Sequence, residues 1–174
     1  MGNITNLSDA RYCSGMGVDM LGFRVIEGQE NHLPASTYQE IKGWIAGPKV
    51  VAELYGLIDA SFLDKILEDY QPDLLEVGAD ELAYLPKDLS IPIIYAGEAD
   101  DRLGDFKVEF VIGSTAISKS AFPLLSHCEG ESELAAILQN PAIKGIVLKG
   151  SPEENPGQQD YDHLADILEA LEED

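Results

Sequence analysis

Seven short apolar runs, separated by helical patterns, constrain this chain more than any other feature. The runs are nearly continuous in apolar residues rather than alternating, which is typical of strands that are covered on both faces. They lie at residues 20–25, 49–58, 73–77, 91–95, 108–113, 122–126 and 144–148. Because the runs alternate with helices, they predict an α/β fold with a parallel sheet.

Helical patterns occupy the segments between and after the runs. They lie at residues 7–17, 34–47, 59–72, 130–141 and 160–174. In the first pattern, Ser8 is expected to be the N-cap residue. In the last, Leu164, Ile167, Leu168 and Leu171 form an apolar stripe that would dock on the wall of a barrel.

Seven strands, with an eighth that would lie before Gly2, predict a (β/α)8 TIM-type barrel, a single domain over residues 1–174. Strand 1 would be truncated or nearly absent, since only residues 1–4 are available for it. Units 4–6 would be trimmed, because their connections leave room for only a turn or two of helix. An open doubly wound sheet is the alternative, but no glycine-rich phosphate motif follows any run.

The charge of the chain bears on its partners. Its 174 residues carry a formal net charge of −21. Such a field repels phosphate backbones and anionic bilayers, so we expect neither nucleic acid nor a membrane as partner. The two cysteines lack metal-ligand spacing, and no signal peptide or membrane span is visible, so a cytoplasmic location is expected.

Two stretches carry a family resemblance. The first, "GNITNLSDARYCSGMGVDMLGF", resembles the first βαβ unit of phosphoribosylanthranilate isomerases, which open with Cys-Gly-(Ile/Met)-Thr-(Asn/Arg) and continue to Gly-Ala-Asp-x-(Leu/Ile)-Gly-Phe. The second, "IVLKGSPEENPGQQDYDHL", is similar to the family's C-terminal strand and the segment before its last helix. The middle of the chain follows the family pattern more loosely. The resemblance implies a TIM barrel and a place in tryptophan biosynthesis.

The resemblance also implies an activity and its residues. The family catalyses an Amadori rearrangement of an aminoaldose to a ketose, with a cysteine as general base, an aspartate as general acid and no metal or cofactor. In this chain the base position is Gly2 and the acid position is Gly113. Neither glycine can transfer a proton.

Other family positions differ as well. The histidine after the fourth strand is replaced by Gly78, and the arginine before the second helix by Asn31. The phosphate-binding loop after the seventh strand is replaced by His127, Cys128 and Glu129. The loop after the eighth strand is replaced by Lys149, Gly150 and Ser151, and the aspartate of that strand by Val147.

These replacements predict a non-enzymatic or repurposed relative, a pseudoenzyme of the isomerase family. Two alternatives stay open. The chain could be a working isomerase that uses non-standard residues, or an enzyme of changed specificity on a small anionic metabolite. The fold alone does not distinguish these three functions.

Arg24, Glu76 and Lys149 are expected to form a charged cluster at the carboxyl ends of the strands, with Gly150 and Ser151 beside it. The cluster is either a remodelled pocket for a small zwitterion or anion, or an ion-paired plug that fills a vacated site. The plug is the interpretation we favour. Further polar candidates at strand ends are Asp59, Tyr95, Ser114 and His127.

No metal site is predicted, because His32, His127 and His163 are scattered along the chain. A phosphosugar or another anionic metabolite is the expected small-molecule partner, and the chain is expected to be a monomer or a homodimer. Trp44, Tyr38 and the leucines of the last helix are candidates for a dimer surface.

Overall fold

The computed structural model describes residues 1–113, 121–149 and 162–172. Within these residues seven parallel strands form one curled, TIM-like sheet whose strand order follows the sequence from first to last. The strands are β1 (Met20–Arg24), β2 (Lys49–Glu53), β3 (Leu74–Gly78), β4 (Ile93–Ala96), β5 (Val108–Ile112), β6 (Leu124–His127) and β7 (Ile143–Val147). All seven predicted strands are thereby confirmed. The doubly wound alternative is wrong, because that fold requires the strand order to reverse.

Five α-helices accompany the strands in the described residues. They are α1 (Leu7–Gly15), α2 (Ala35–Lys42), α3 (Leu63–Tyr70), α4 (Glu131–Leu138) and α5 (Asp162–Glu172). None of them has the length and apolar character that crossing a lipid bilayer requires.

The N-cap of α1 is Asn6, so the expectation for Ser8 is wrong. Asn6 has extended backbone angles, and its Oδ1 accepts a hydrogen bond of 2.9 Å from the backbone N–H of Asp9. The Asn6 amide also donates to the Asp9 carboxylate at 3.0 Å. Ser8 lies inside the first turn, where it cannot serve the first free N–H groups of the helix.

Short 3-10 helices follow β3 and β4, at Glu81–Tyr84 and Asp101–Asp105. The connection between β5 and β6 includes residues 114–120, which lie outside the described residues. The trimming of units 4–6 therefore stays a prediction.

The core has two faces, as the near-continuous apolar runs predict. The outer face of the sheet packs against the helices, where Phe23 meets Tyr38 edge-to-face at 5.2 Å and Tyr38 meets Tyr70 at 5.1 Å between ring centroids. Tyr38 is therefore fully buried and cannot belong to a dimer surface, whereas Trp44 is 68 % exposed. The inner face forms its own apolar cluster of Val51, Leu74, Ile94, Ile112 and Leu125.

Residues 1–4 lie between the two edges of the sheet. On one side Gly22 N donates to Met1 O at 2.7 Å, and Ile4 N donates to Gly22 O at 2.9 Å. On the other side Gly2 N donates to Leu148 O at 2.8 Å, and Gly2 forms a parallel bridge with Lys149. This segment links β1 to the chain that follows β7, which places Gly2 against the interior of the sheet.

Candidate functional site

Three charged side chains share one row across the first three strands. Arg24, at the end of β1, pairs in register with Glu53 at the end of β2, and Glu53 pairs with Glu76 of β3. Residues in register on parallel strands point to the same face, and neighbouring strands are about 4.8 Å apart. The row therefore lies on the inner face, toward the carboxyl ends of the strands, where TIM-type barrels place their active sites.

Glu53 is the centre of this row, and its side chain is only 3 % exposed. Its Oε1 accepts a hydrogen bond of 2.7 Å from the backbone N–H of Asn3. Its Oε2 lies 3.4 Å from the Nε of Arg24, as an ion pair without an aligned hydrogen bond. Burial raises the pKa of Glu53, while the Asn3 N–H and the Arg24 charge oppose that rise.

Two glycines make room for the Glu53 carboxylate. A β-carbon on Gly2 would lie 2.9 Å from Glu53 Oε1, and a β-carbon on Gly22 would come closer still. Both distances are shorter than a van der Waals contact between carbon and oxygen. The carboxylate thus fills the space that a side chain at position 2 would need.

Tyr55 connects the other two members of the row. Its hydroxyl donates a hydrogen bond of 2.5 Å to Glu76 Oε1. The guanidinium carbon of Arg24 lies 5.3 Å from the centre of the Tyr55 ring, which is a cation–π contact. We call Arg24, Glu53, Tyr55 and Glu76 the Glu53 cluster.

The electrostatics of the Glu53 cluster are set by its two carboxylates, by the Arg24 guanidinium and by the nearby Met1 amino group. Burial, and then the charge of Glu53, raise the pKa of Glu76 to about 7, although the Tyr55 hydrogen bond acts in the opposite direction. Burial and the neighbouring Glu76 raise the pKa of Tyr55 well above its usual value. Glu76 therefore changes its protonation state near neutral pH.

Glu81 connects the loop that carries Tyr55 to the end of β3. Its Oε1 accepts from Gly56 N at 2.8 Å, and its Oε2 accepts from Gly78 N at 3.2 Å. Gly56 has a φ of +89°, a left-handed conformation that favours glycine. This bridge fixes the chain immediately after Tyr55 and so holds its ring between Arg24 and Glu76.

Lys149, predicted to join Arg24 and Glu76, is exposed. Among the described residues it forms no ion pair with Glu76; instead, it lies close enough to His127 to lower the pKa of that imidazole, after burial, which is the larger cause. Gly150 and Ser151, and also Ser114, lie outside the described residues. The structure therefore brings Arg24 and Glu76 into one cluster and gives Lys149 a different neighbour.

The other candidate positions from the sequence lie outside the Glu53 cluster. Gly113 directly follows β5, where its N–H donates to Leu125 O at 3.1 Å. Tyr95 is 1 % exposed and belongs to the core between sheet and helices. Asp59 caps the 3-10 helix Ala60–Phe62. Cys128 is buried, which raises its thiol pKa.

No group of three or more His, Cys, Asp or Glu side chains within the described residues is arranged to hold a metal ion. In the acidic turn at residues 98–101, Asp100 caps the 3-10 helix Asp101–Asp105: it accepts from the backbone N–H of Arg102 and pairs with its guanidinium at 2.7 Å.

Sequence reasoning missed Glu53 and Tyr55. The apolar run 49–58 predicts one long strand with Glu53 in its middle, whereas β2 ends at Glu53. A signal was present, since Glu53 is the one charged residue between Lys49 and Asp59. A charge inside an otherwise apolar run is rarely buried without a partner.

No protein-family model matches this sequence, and a comparison with curated protein sequences gives no significant match. Solved structures do match. A phosphoribosylanthranilate isomerase in complex with reduced 1-(o-carboxyphenylamino)-1-deoxyribulose 5-phosphate superposes with a TM-score of 0.77 at 15 % identity, over 98 % of this chain and 96 % of that one. The Thermus thermophilus phosphoribosylanthranilate isomerase gives 0.74 at 15 % identity, with 98 % and 96 % covered.

A third match has a different activity. Phospho-2-dehydro-3-deoxyheptonate aldolase from Thermotoga maritima gives a TM-score of 0.64 at 15 % identity, over 99 % of this chain and 65 % of that one. At these identities the matches show a common fold. Because enzymes of different activity share that fold, the activity has to be argued from the residues of the site.

Proposed function

We propose that this chain is a barrel of the phosphoribosylanthranilate isomerase type that does not catalyse the family's Amadori rearrangement. It is a non-enzymatic or repurposed relative whose former reaction centre is filled by the Glu53 cluster. The observation that carries the proposal is the position of the Glu53 carboxylate beside Gly2.

The geometry around Gly2 supports this proposal in two ways. Glycine offers no group that could accept a proton from the sugar. The space next to it is occupied by Glu53 Oε1, which is itself engaged by the Asn3 N–H at 2.7 Å. A catalytic thiol at position 2 would therefore have to displace a buried and hydrogen-bonded carboxylate.

The acid position supports it independently. Gly113 also lacks a side chain, and it lies at the carboxyl end of β5. The loss of a single group can be compensated by a neighbour, but base and acid act on different atoms of the substrate. Loss of both removes the two proton transfers on which the rearrangement depends.

The test is a direct assay of the purified protein with phosphoribosylanthranilate, with the Thermus thermophilus isomerase as positive control. We expect no turnover above the uncatalysed rate and no rescue of a tryptophan auxotroph that lacks the isomerase. Turnover, or growth of that strain, would overturn the proposal. Binding of reduced 1-(o-carboxyphenylamino)-1-deoxyribulose 5-phosphate, measured by calorimetry, separates loss of catalysis from loss of the site.

A second candidate function is an enzyme of changed specificity that uses Glu76 for proton transfer. The observation that favours it is the pKa of Glu76, raised to about 7 by burial and by Glu53. A carboxyl group with a pKa near 7 is suited to act as general acid or base at neutral pH. Burial and the Glu53 charge would raise this pKa equally well in a purely structural cluster, so this candidate requires a substrate that is turned over by the wild type and not by Glu76→Gln.

Two expectations about partners remain predictions. A phosphosugar or another anionic metabolite would have to use His127, at the end of β6, and Lys149, which follows β7 and lies near it. A monomer or a homodimer is expected, and light scattering during size-exclusion chromatography distinguishes the two states.

A further inference from the structure

We propose that the mouth of the sheet above the Glu53 cluster binds a small zwitterion of the α-amino acid class, with the ligand carboxylate on Arg24 and its ammonium group on Glu76. This inference goes beyond the proposed function, since absence of isomerase activity does not require any ligand. It rests on how the polar atoms of the cluster are engaged and which of them have no protein partner.

The guanidinium of Arg24 has N–H groups that are available to a ligand. Only its Nε faces Glu53, at 3.4 Å, and within the described part of the chain its terminal nitrogens donate to no protein acceptor. The side chain is 31 % exposed, so it is reachable from the mouth. Its contact with the Tyr55 ring at 5.3 Å holds the guanidinium in place. A held guanidinium with free terminal N–H groups matches a carboxylate, which it can bind through two parallel hydrogen bonds.

Glu76, in contrast, has an acceptor oxygen without a protein donor among the described residues. Its Oε1 accepts the hydroxyl of Tyr55, while its Oε2 accepts no hydrogen bond from the other described residues. The carboxylate is partly buried and stands beside a second carboxylate, Glu53, in the next strand. A carboxylate in such surroundings is stabilised by a nearby cation. Arg24 is already paired with Glu53. The other cation that acts on Glu76, the Met1 amino group, donates to Met20 O at 2.8 Å, and burial lowers its pKa. An ammonium group from a ligand would give Glu76 a cationic partner of its own.

The spacing of the two groups fits a small ligand. Arg24 and Glu76 stand on either side of Glu53, two strands apart, so their Cα atoms are separated by roughly 10 Å. The Tyr55 ring contacts the guanidinium with its face and Glu76 with its hydroxyl. The two charges are thus brought together across one aromatic ring, and an α-amino acid carries its carboxylate and ammonium on a single carbon.

The charge of the cluster argues against two other ligand classes. With both carboxylates ionised the cluster has a net charge of −1, which repels a phosphate dianion. A simple amine would place its charge near the guanidinium of Arg24. A zwitterion satisfies both sites and leaves the net charge of the cluster unchanged.

The test is isothermal calorimetry and thermal unfolding of the full chain, with glycine, L-alanine and L-serine as probes. Acetate and methylamine serve as half-ligands. We expect at least one amino acid to bind and to raise the unfolding temperature, and neither half-ligand to do so at the same concentration. Binding of acetate or methylamine as strong as that of every amino acid would overturn the proposal, as would no binding of any probe.

Variants locate the site. Arg24→Gln and Glu76→Gln should each weaken binding about tenfold or more, corresponding to about 1.4 kcal/mol. Lys65→Gln, on an exposed helix position, should leave binding unchanged. Circular dichroism checks that each variant is folded, and Glu76→Asp offers a second, charge-conserving variant if Glu76→Gln fails to fold. Binding that survives both Arg24→Gln and Glu76→Gln would contradict this site, and the isomerase assay is unaffected by either result.

Discussion

Oε1 of Glu53 lies 2.9 Å from the point where a β-carbon on Gly2 would stand. The same oxygen accepts the backbone N–H of Asn3, so one carboxylate both excludes a side chain at position 2 and anchors the segment that carries it. Glycine at position 2 and glutamate at position 53 are therefore one structural unit. A substitution at either residue therefore acts on the other as well.

Replacing Gly2 or Gly22, the two glycines that face Glu53, with alanine should lower the free energy of unfolding by different amounts. Gly22→Ala is expected to cost more than Gly2→Ala, because its β-carbon would meet Glu53 and also the Gly2 backbone. Each cost should be about 1–3 kcal/mol in the free energy of unfolding, since the buried carboxylate cannot move freely. Gly104→Ala is the control, because no atom lies within 4 Å of its β-carbon, and urea denaturation should show a change within about 0.5 kcal/mol. Equal stability of all three variants would contradict the packing described here.

The pH dependence of stability should report Glu76. Its folded pKa is about 7, above its ordinary value of 4.5, so the folded state binds this proton more tightly than the unfolded state. Its contribution to stability is therefore full below about pH 4.5 and is lost as the pH rises to about 7. Glu76→Gln should remove this decline and raise the free energy of unfolding at pH 8 by about 1–3 kcal/mol. Denaturation at a series of pH values measures both effects.

A companion variant tests the cause of that shift. Glu53, Arg24, Tyr55 and the Met1 amino group are the titratable groups that act on Glu76. Glu53→Gln removes the negative charge among them and should lower the pKa of Glu76, as followed by carbon NMR of its carboxyl group. An unchanged titration midpoint would show that Glu53 does not influence Glu76.

Two buried tyrosines should respond differently to loss of their hydroxyl groups. The Tyr70 hydroxyl donates to Leu33 O at 2.7 Å, so Tyr70→Phe should cost about 1 kcal/mol of unfolding free energy. The Tyr38 hydroxyl is buried without a hydrogen-bond partner among the described residues, so Tyr38→Phe should be neutral or stabilising. Thermal and urea unfolding of the two variants measure these changes. A larger loss of unfolding free energy for Tyr38→Phe than for Tyr70→Phe would contradict the hydrogen bonding described for the two hydroxyl groups.

The helix cap of α1 provides a further matched pair. Asn6→Ala removes the acceptor of the Asp9 N–H and should cost about 1 kcal/mol. Ser8→Ala should change the free energy of unfolding by less than about 0.5 kcal/mol, because Ser8 is exposed inside the first turn. A greater loss for Ser8→Ala would restore the cap expected from the sequence.

The strands could be predicted because each apolar run is a local signal. Burial on both faces requires apolar side chains at consecutive positions, and the sheet uses all seven runs in their sequence order. The cap of α1 was less predictable, since Asn6 and Ser8 are both good capping residues and only the backbone angles distinguish them. Similarly, the end of β2 depends on the turn at Gly56, which a continuous apolar run conceals.

The sequence by itself determined the alternation of strands and helices, the parallel sheet, and the lack of a side chain at Gly2 and Gly113, since these follow from residue type and local pattern. Only the tertiary structure decided that Glu53 fills the space beside Gly2 and that Arg24, Tyr55 and Glu76 surround it. That meeting depends on the register between strands whose residues are separated by 29 and 23 positions along the chain. Parallel strands are joined by long crossover connections rather than tight turns, so the sequence of one strand does not state which residue of its neighbour it faces.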